Sequence, residues 1–179
     1  MSKTSTKRAV HTPAMIERDN ERFAKMTKPQ KRVAIAKDAL AAIKAKIYTA
    51  EEGTYCLIAG IDDPFGSEFD KSSQLRDSLA QCQCCAIGAL FLSKARVADE
   101  ETVGRYRRGV DYWRRLSPYF DRQQLDLIEA AFELHDVHDT LKEDARERAY
   151  RFGNRYTVAK NRLVAILNNI VENNGTFVP

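Results

Sequence analysis

Two short motifs contain the residue types that most often bind transition metals. Cys82 and Cys85 are three positions apart, and so are His135 and His138. On a helix, residues three apart lie on the same side, so each pair can present two ligands in one direction. Two thiolates and two imidazoles form a valid tetrahedral shell for zinc. These four residues are therefore the candidate ligands of a zinc-stabilised or metal-dependent module.

The surroundings of the two cysteines argue against this chemistry. Structural zinc sites usually lie on turns, whereas Cys82 and Cys85 fall inside a predicted apolar helix, where free cysteine commonly packs as a small apolar side chain. A thioredoxin-like role is excluded, because its Cys-x-x-Cys stands at a helix N-terminus and this motif lies about nine residues into the predicted helix. We therefore predict no bound metal and no cofactor.

Signatures of catalysis are not apparent in the sequence. Nucleophilic catalysis needs a serine or cysteine near a histidine and an orienting carboxylate. The three histidines are His11, His135 and His138, and none accompanies a strand–turn–helix context for a nucleophile. Neither glycine-rich phosphate-binding motif occurs, and the acidic segment 62–70 lacks the residue order of a calcium loop. We therefore expect a protein that is not an enzyme.

A segment rich in arginine and aromatic residues is the leading candidate for a partner surface. Its core-facing stripe is predicted to consist of Val103, Tyr106, Val110 and Trp113. Arg108 and Arg115 are seven residues apart on the opposite face, and Tyr112 lies between them. Exposed arginines and aromatic rings supply much of the binding energy at protein interfaces. The predicted partner-binding residues are Arg107, Arg108, Tyr112, Arg114 and Arg115.

The charge of the chain permits an anionic partner without requiring one. The net charge is +4, from 29 Lys and Arg against 25 Asp and Glu, and Lys3, Lys7 and Arg8 occur in residues 1–10 with no acid. Nucleic-acid binding through this basic arm and the arginine-rich helix is the alternative function. Acids are interspersed among the arginines, which is typical of an ordinary solvated face. A protein or protein complex is therefore favoured over nucleic acid as the partner.

Length and composition indicate a mainly α-helical protein. The chain has 179 residues, of which 44% are hydrophobic and 30% charged, enough for a core and a solvated surface. No apolar run reaches the length of a membrane span, and no signal peptide is visible, so reduced cysteines and a cytoplasmic location are expected. We predict a flexible basic arm over residues 1–12 and one compact domain of five to seven helices over residues 13–179. The oligomeric state is not predicted.

One helix is expected to lie at the centre of this domain. It is predicted to run from Ser72 or Ser73 to about Val97. From Cys84 to Leu92 every side of it is apolar or small, which indicates a helix surrounded by protein. Gly88 is expected to let a neighbouring backbone come close.

Local signals mark several boundaries and one small sheet. Thr12-Pro13 is typical of a helix start, and Asn174-Gly175 of a left-handed helix end. Asp121 and Gln124 are spaced as a capping box. Thr54 to Ile58 is rich in β-forming residues and is predicted to pair with Thr176 to Val178 as a two-stranded ribbon.

Three segments of the chain form a set of motifs found together elsewhere. They are Cys85–Ser93 with its Cys-Ala-Ile-Gly-Ala-Leu start, Phe120–Glu129, and the ending Asn173–Pro179 with its Asn-Asn-Gly-Thr-Phe sequence. This set, about a quarter of the chain, resembles small bacteriophage and prophage proteins that have no established function. The resemblance implies a mobile-element origin and a role in host interaction or counter-defence. We therefore expect a non-enzymatic, phage-type accessory protein that binds or inhibits a host macromolecule.

Overall fold

The computed structural model confirms a mainly α-helical fold and describes residues 13–58, 82–98, 109–135 and 141–179. The helices in these ranges are α1 (Pro13–Lys25), α2 (Lys28–Lys44), α3 (Ala86–Ala98), α4 (Gly109–Leu116), α5 (Arg122–Glu133), α6 (Glu143–Asn154) and α7 (Ala159–Glu172). The strands are β1 (Tyr48–Ala50), β2 (Leu57–Ile58) and β3 (Cys82–Cys84). The predicted arm, residues 1–12, and the acidic segment 62–70 lie outside the described residues. None of the described helices is long and apolar enough to cross a membrane.

Helix α3 lies at the centre of the core, as its composition predicts. Every residue from Ala86 to Ala95 is buried, and α1, α2, α4 and α5 all contact this helix. A β-carbon added at Gly88 would collide with the backbone carbonyl of Tyr55. The expected close approach of a neighbouring backbone is therefore confirmed.

The predicted start of this helix is wrong. Cys82 to Cys84 form β3, and α3 begins only at Ala86. Between them, the backbone N–H of Cys85 donates to the carbonyl of Thr54 at 2.5 Å. A buried strand and a buried helix both appear as continuous apolar runs, so the hydrophobic pattern does not mark the boundary between them.

Among the described residues, the small sheet has three strands rather than the predicted two. Strand β3 lies in the middle, parallel to β1 and antiparallel to β2. Cys82 is therefore opposite Tyr48 on one side and Ile58 on the other. The predicted ribbon is wrong in its partner: β2 pairs with β3, and residues 176–178 are not a strand.

The C-terminal segment is instead held by two side-chain amides. Gln124 donates to the carbonyl of Phe177 at 3.2 Å and accepts from its N–H at 2.6 Å, and Asn169 makes the same pair of bonds to Val178, both at 2.8 Å. Successive residues of an extended chain direct their backbone N–H and C=O groups to opposite sides. The C-terminal segment is therefore hydrogen-bonded to α5 on one side and to α7 on the other. The predicted capping box is half formed: Asp121 accepts from the N–H of Gln124 at 2.8 Å, while the Gln124 side chain holds the C-terminal segment.

Arg162 joins three parts of the molecule from within the core. Its guanidinium, 3% exposed, donates to the carbonyls of Phe132 at 2.6 Å and Tyr156 at 3.1 Å. It also forms an ion pair with Glu52 at 2.6 Å. These bonds connect α7 to the end of α5, to the α6–α7 connection and to the turn after β1. A buried charge is tolerated when it is paired and fully hydrogen-bonded in this way.

Candidate binding surface

The predicted partner surface on α4 is not formed as predicted. Tyr112 is 3% exposed, its ring stacks on Tyr55 at 5.4 Å between centroids, and it meets the Phe91 ring edge-on at 4.7 Å. Trp113 is buried as expected, and so is Leu116. The buried side of α4 therefore lies between Tyr112 and Trp113, so Tyr112 belongs to the core and is not a contact residue.

The predicted role of the arginines of this segment in partner binding stays a prediction. Arg114 is exposed and Arg115 is half-buried, and both interact with other groups of the chain. Arg107 and Arg108 lie outside the described residues. An interface arginine is most effective beside a desolvated aromatic anchor, and the burial of Tyr112 removes that anchor.

The four cysteines, Cys56, Cys82, Cys84 and Cys85, are buried free thiols. Burial raises the pKa of all four, that of Cys56 to about 12. The backbone N–H groups of Ile87 and Gly88 donate to the sulfur of Cys85 and lower its pKa, but burial has the larger effect. A thiol that stays protonated at neutral pH is a poor nucleophile and a poor metal ligand.

The three predicted ligands that the structure describes, Cys82, Cys85 and His135, do not form a metal site. Cys82 lies in β3 and Cys85 in the connection that follows, so the two are not on one helix as predicted. His135 is exposed just after α5, where its ring Nδ1 donates to the carbonyl of Glu133 at 2.9 Å. His138 lies outside the described residues. Within the part of the chain that is described, no group of three or more His, Cys, Asp or Glu is arranged to hold a metal ion.

Three carboxylates on α5 are buried, those of Asp126, Glu129 and Glu133, and two of them bind the turn between β1 and β2. None was foreseen from the sequence. Glu129 accepts from the Tyr55 hydroxyl at 2.6 Å, and Glu133 accepts from the Gly53 N–H at 2.7 Å. Burial raises the pKa of Glu133, and the neighbouring charge of Glu129 raises it further. A buried carboxylate with a raised pKa, such as that of Glu133, is a candidate for acid–base catalysis. Here Glu129 and Glu133 each fasten the turn between β1 and β2 onto α5 from the interior, which is a structural task.

The positive charge of the chain is concentrated at its N-terminal end. Residues 1–46 contain twelve Lys and Arg but four Asp and Glu, a net charge of +8, whereas residues 47–179 have a net charge of −4. The N-terminal arm supplies three of these cations. Helix α2 together with Lys46 supplies six cations against one acid, whereas the three cations of α1 are matched by Glu17, Asp19 and Glu21. Summing charges by segment finds this asymmetry, which the total of +4 conceals.

Helices α1 and α2 expose a set of cations that we call the basic surface. Its members are Arg18, Arg22, Lys25, Lys28, Lys37, Lys44 and Lys46, all of them exposed. The three on α1 follow a spacing of four and three residues, and Lys37 and Lys44 are seven apart, so each set lies on one side of its helix. The apolar sides are directed inward, as shown by the burial of Phe23 and Ile35.

Several cations elsewhere in the described part of the fold form ion pairs, unlike those of the basic surface. Arg148 and Arg151 on α6 bind Asp144 and Glu147, each at 3.1 Å and one helical turn away. Arg96, Arg122 and Arg162 also form ion pairs. Among the described residues, no ion pair joins a member of the basic surface to an acid. This surface is therefore the candidate site for an anionic partner.

Comparisons with known proteins provide no assignment for this surface. No family model, no curated protein and no solved structure matches the chain. Function has to be argued from the charge, burial and contacts of its own residues.

Proposed function

We propose that this protein is a non-enzymatic binding module that engages nucleic acid through the basic surface of α1 and α2. The observation that carries the proposal is the segregation of charge, +8 over residues 1–46 against −4 over the rest. A basic face on one part of a chain is the electrostatic footprint expected of a nucleic-acid-binding protein. The acidic remainder favours an orientation in which the basic surface faces the polyanion.

Exposed cations on α1 are spaced for contact with a phosphate backbone, although α1 as a whole is neutral. Arg18 and Lys25 are seven residues apart, which corresponds to about 10 Å along the helix, with Arg22 and the acid Glu21 between them. Duplex DNA carries one negative charge per roughly 1.7 Å of its axis, so such a row meets several phosphates at once. Each phosphate neutralised releases condensed counterions, and this release drives binding that depends little on sequence.

Two observations favour nucleic acid over the host protein expected from the sequence. The burial of Tyr112 removes the aromatic anchor of the predicted protein interface. The exposed cations of the basic surface are Lys and Arg without neighbouring exposed aromatic rings, a composition better suited to phosphates than to a protein hot spot. With the resemblance to phage and prophage proteins, the proposal is a phage-type accessory protein acting on nucleic acid in the bacterial cytoplasm, in host interaction or counter-defence.

Fluorescence anisotropy with a labelled duplex of about 20 base pairs tests the proposal. The informative variants reverse two charges on each helix: Arg18→Glu with Arg22→Glu, and Lys37→Glu with Lys44→Glu. The matched control is Arg148→Glu with Arg151→Glu, which changes the net charge equally at exposed but paired positions of α6. We expect each basic-surface variant to bind about tenfold more weakly or worse, and the control to lose much less.

The outcomes separate the proposal from its competitors. An equal loss in all three variants would mean that only net charge matters and would reject a specific surface. No binding of duplex DNA or RNA at low salt would reject nucleic acid as the partner. Poly-glutamate binding as tightly as DNA would assign the surface to acidic proteins instead.

A further inference from the structure

A groove follows α7 on the side of the molecule formed by α6 and α7. Its volume is about 490 Å³. Phe152, Tyr156 and Ala165 are among the residues of its apolar floor, and Asn161, Asn168 and Glu172 provide polar groups along α7. Apolar floors with a few polar groups are typical of ligand-binding concavities of this size.

Several polar residues along this groove have a low preference for the helical positions that they occupy in α7. Asn161 and Asn168 stand within α7, although asparagine is a poor helix former, and both are exposed. Neither amide is hydrogen-bonded to another described residue. Glu172 occupies the last turn of α7, where the helix dipole disfavours an acid. Residues that break a local rule without a packing benefit often mark a functional site.

One side-chain amide on the same helix already binds an extended backbone through a pair of hydrogen bonds. Asn169, which also lines the groove, exchanges two hydrogen bonds with the backbone of Val178. Gln124 holds the backbone of Phe177 in the same way from the opposite side. An extended chain is therefore docked against α7 by a side-chain amide, and the groove continues from that contact along the helix.

We propose that this α7 groove binds an extended peptide segment of a partner protein that carries a Lys or Arg side chain. The amides of Asn161 and Asn168 pair with the peptide backbone, as Asn169 pairs with Val178. The basic side chain lies against Glu172, where the carboxylate and the C-terminal end of the helix dipole both attract a cation. An apolar side chain of the peptide covers the rings of Phe152 and Tyr156. This site does not involve the basic surface, so peptide binding and nucleic-acid binding can be tested independently of each other.

Selection from a displayed library of random dodecapeptides tests this site, with the full chain as the target. The principal variant is Asn161→Ala with Asn168→Ala. Because alanine is the better helix former, this variant is expected to melt at a higher temperature than the wild-type protein. Its affinity for the selected peptides is nevertheless expected to fall about tenfold, since the backbone-pairing amides are gone. A purely structural role of the two asparagines does not produce these opposite changes.

A charge exchange identifies the cation subsite. Glu172→Lys is expected to weaken binding of a selected peptide that contains Lys or Arg, and replacing that peptide residue with Glu is expected to restore binding. Lys37→Glu with Lys44→Glu, on the basic surface, is the control and is expected to leave peptide affinity unchanged. The proposal is overturned if no peptide is enriched, or if enriched peptides bind the asparagine double variant as tightly as wild type. It is likewise overturned if the enriched peptides fail to bind only the Lys37→Glu with Lys44→Glu control variant.

Discussion

Replacing Gly88 with alanine is expected to destabilise the protein far more than the addition of one methyl group suggests. A β-carbon at this position lies 2.6 Å from the carbonyl carbon of Tyr55 and 3.1 Å from the β-carbon of Cys84. These atoms belong to the backbone before β2 and to the end of β3, and neither can rotate away. Helix α3 is itself enclosed on all sides, so the strain cannot be relieved by moving it outward.

The magnitude follows from two opposing effects. Glycine to alanine in a helix gains up to about 1 kcal/mol of helix propensity. Overpacking of a well-packed core costs about 1–3 kcal/mol and occasionally more, and the obstacle here is backbone, which places the cost at or above the upper end. We expect the free energy of unfolding to fall by about 2–3 kcal/mol overall.

Urea denaturation followed by far-ultraviolet circular dichroism measures this difference. The matched control is Gly53→Ala, where φ is +71° and nothing lies within 4 Å of an added β-carbon. That change incurs only the left-handed backbone penalty of about 1–2 kcal/mol. If Gly88→Ala proves as stable as wild type, or more stable than Gly53→Ala, the close packing of Tyr55 against α3 is refuted.

Two further predictions concern buried polar groups. Because burial raises the pKa of Glu133, the stabilisation that its protonated form contributes is present at acidic pH and is lost as the pH rises through that raised pKa. Glu133→Gln is therefore expected to resist urea better than wild type at neutral pH, with the advantage narrowing towards about pH 4; a less stable glutamine variant at neutral pH would contradict this. Gln124→Ala removes both bonds to the partly buried Phe177 backbone and is expected to cost about 2 kcal/mol, whereas Asn169→Ala, at an exposed site, costs less than about 1 kcal/mol. Amide hydrogen exchange at Phe177 checks the order, and equal acceleration in both variants would refute it.

The sequence predicts best the features that depend on local chemistry. The apolar run after Cys84 predicts the buried α3, and Gly88 within it predicts the close approach of another backbone. Asp121 caps α5 as its spacing indicates, and Asn174 and Gly175 both adopt the left-handed conformation expected at a helix end. Each of these signals depends on residues adjacent in the chain, so no knowledge of the tertiary arrangement is needed.

Features that depend on distant partners are predicted less well. The sequence pattern continues a helix through Cys82, but pairing with β1 and β2 makes this segment a strand. Tyr112 has an amphipathic side chain, so only the presence of the Tyr55 and Phe91 rings decides that it is buried. Gln124 is spaced for a capping box, yet its amide binds the backbone of Phe177, 53 residues away. In each case a contact distant in sequence overrides the local preference.

The two candidate surfaces also differ in how much of each can be predicted from the sequence. The basic surface is visible in the sequence once charge is summed over residues 1–46, although the overall charge of +4 conceals it. Which of those cations are exposed is decided by packing and is found only in the structure. The α7 groove has no sequence signature beyond asparagines at unfavourable helix positions.

The salt dependence of duplex binding tests the nucleic-acid proposal most directly. The logarithm of the association constant is measured against the logarithm of salt concentration for wild type, for Lys37→Gln with Lys44→Gln, and for the control Arg148→Gln with Arg151→Gln. For contacts to phosphates we expect a linear negative slope that becomes shallower by about 1.8 in the lysine variant, since each phosphate contact contributes roughly 0.9. The arginine control is expected to keep the wild-type slope. A wild-type slope near zero, or the same slope in all three proteins, would contradict binding of nucleic acid through the basic surface.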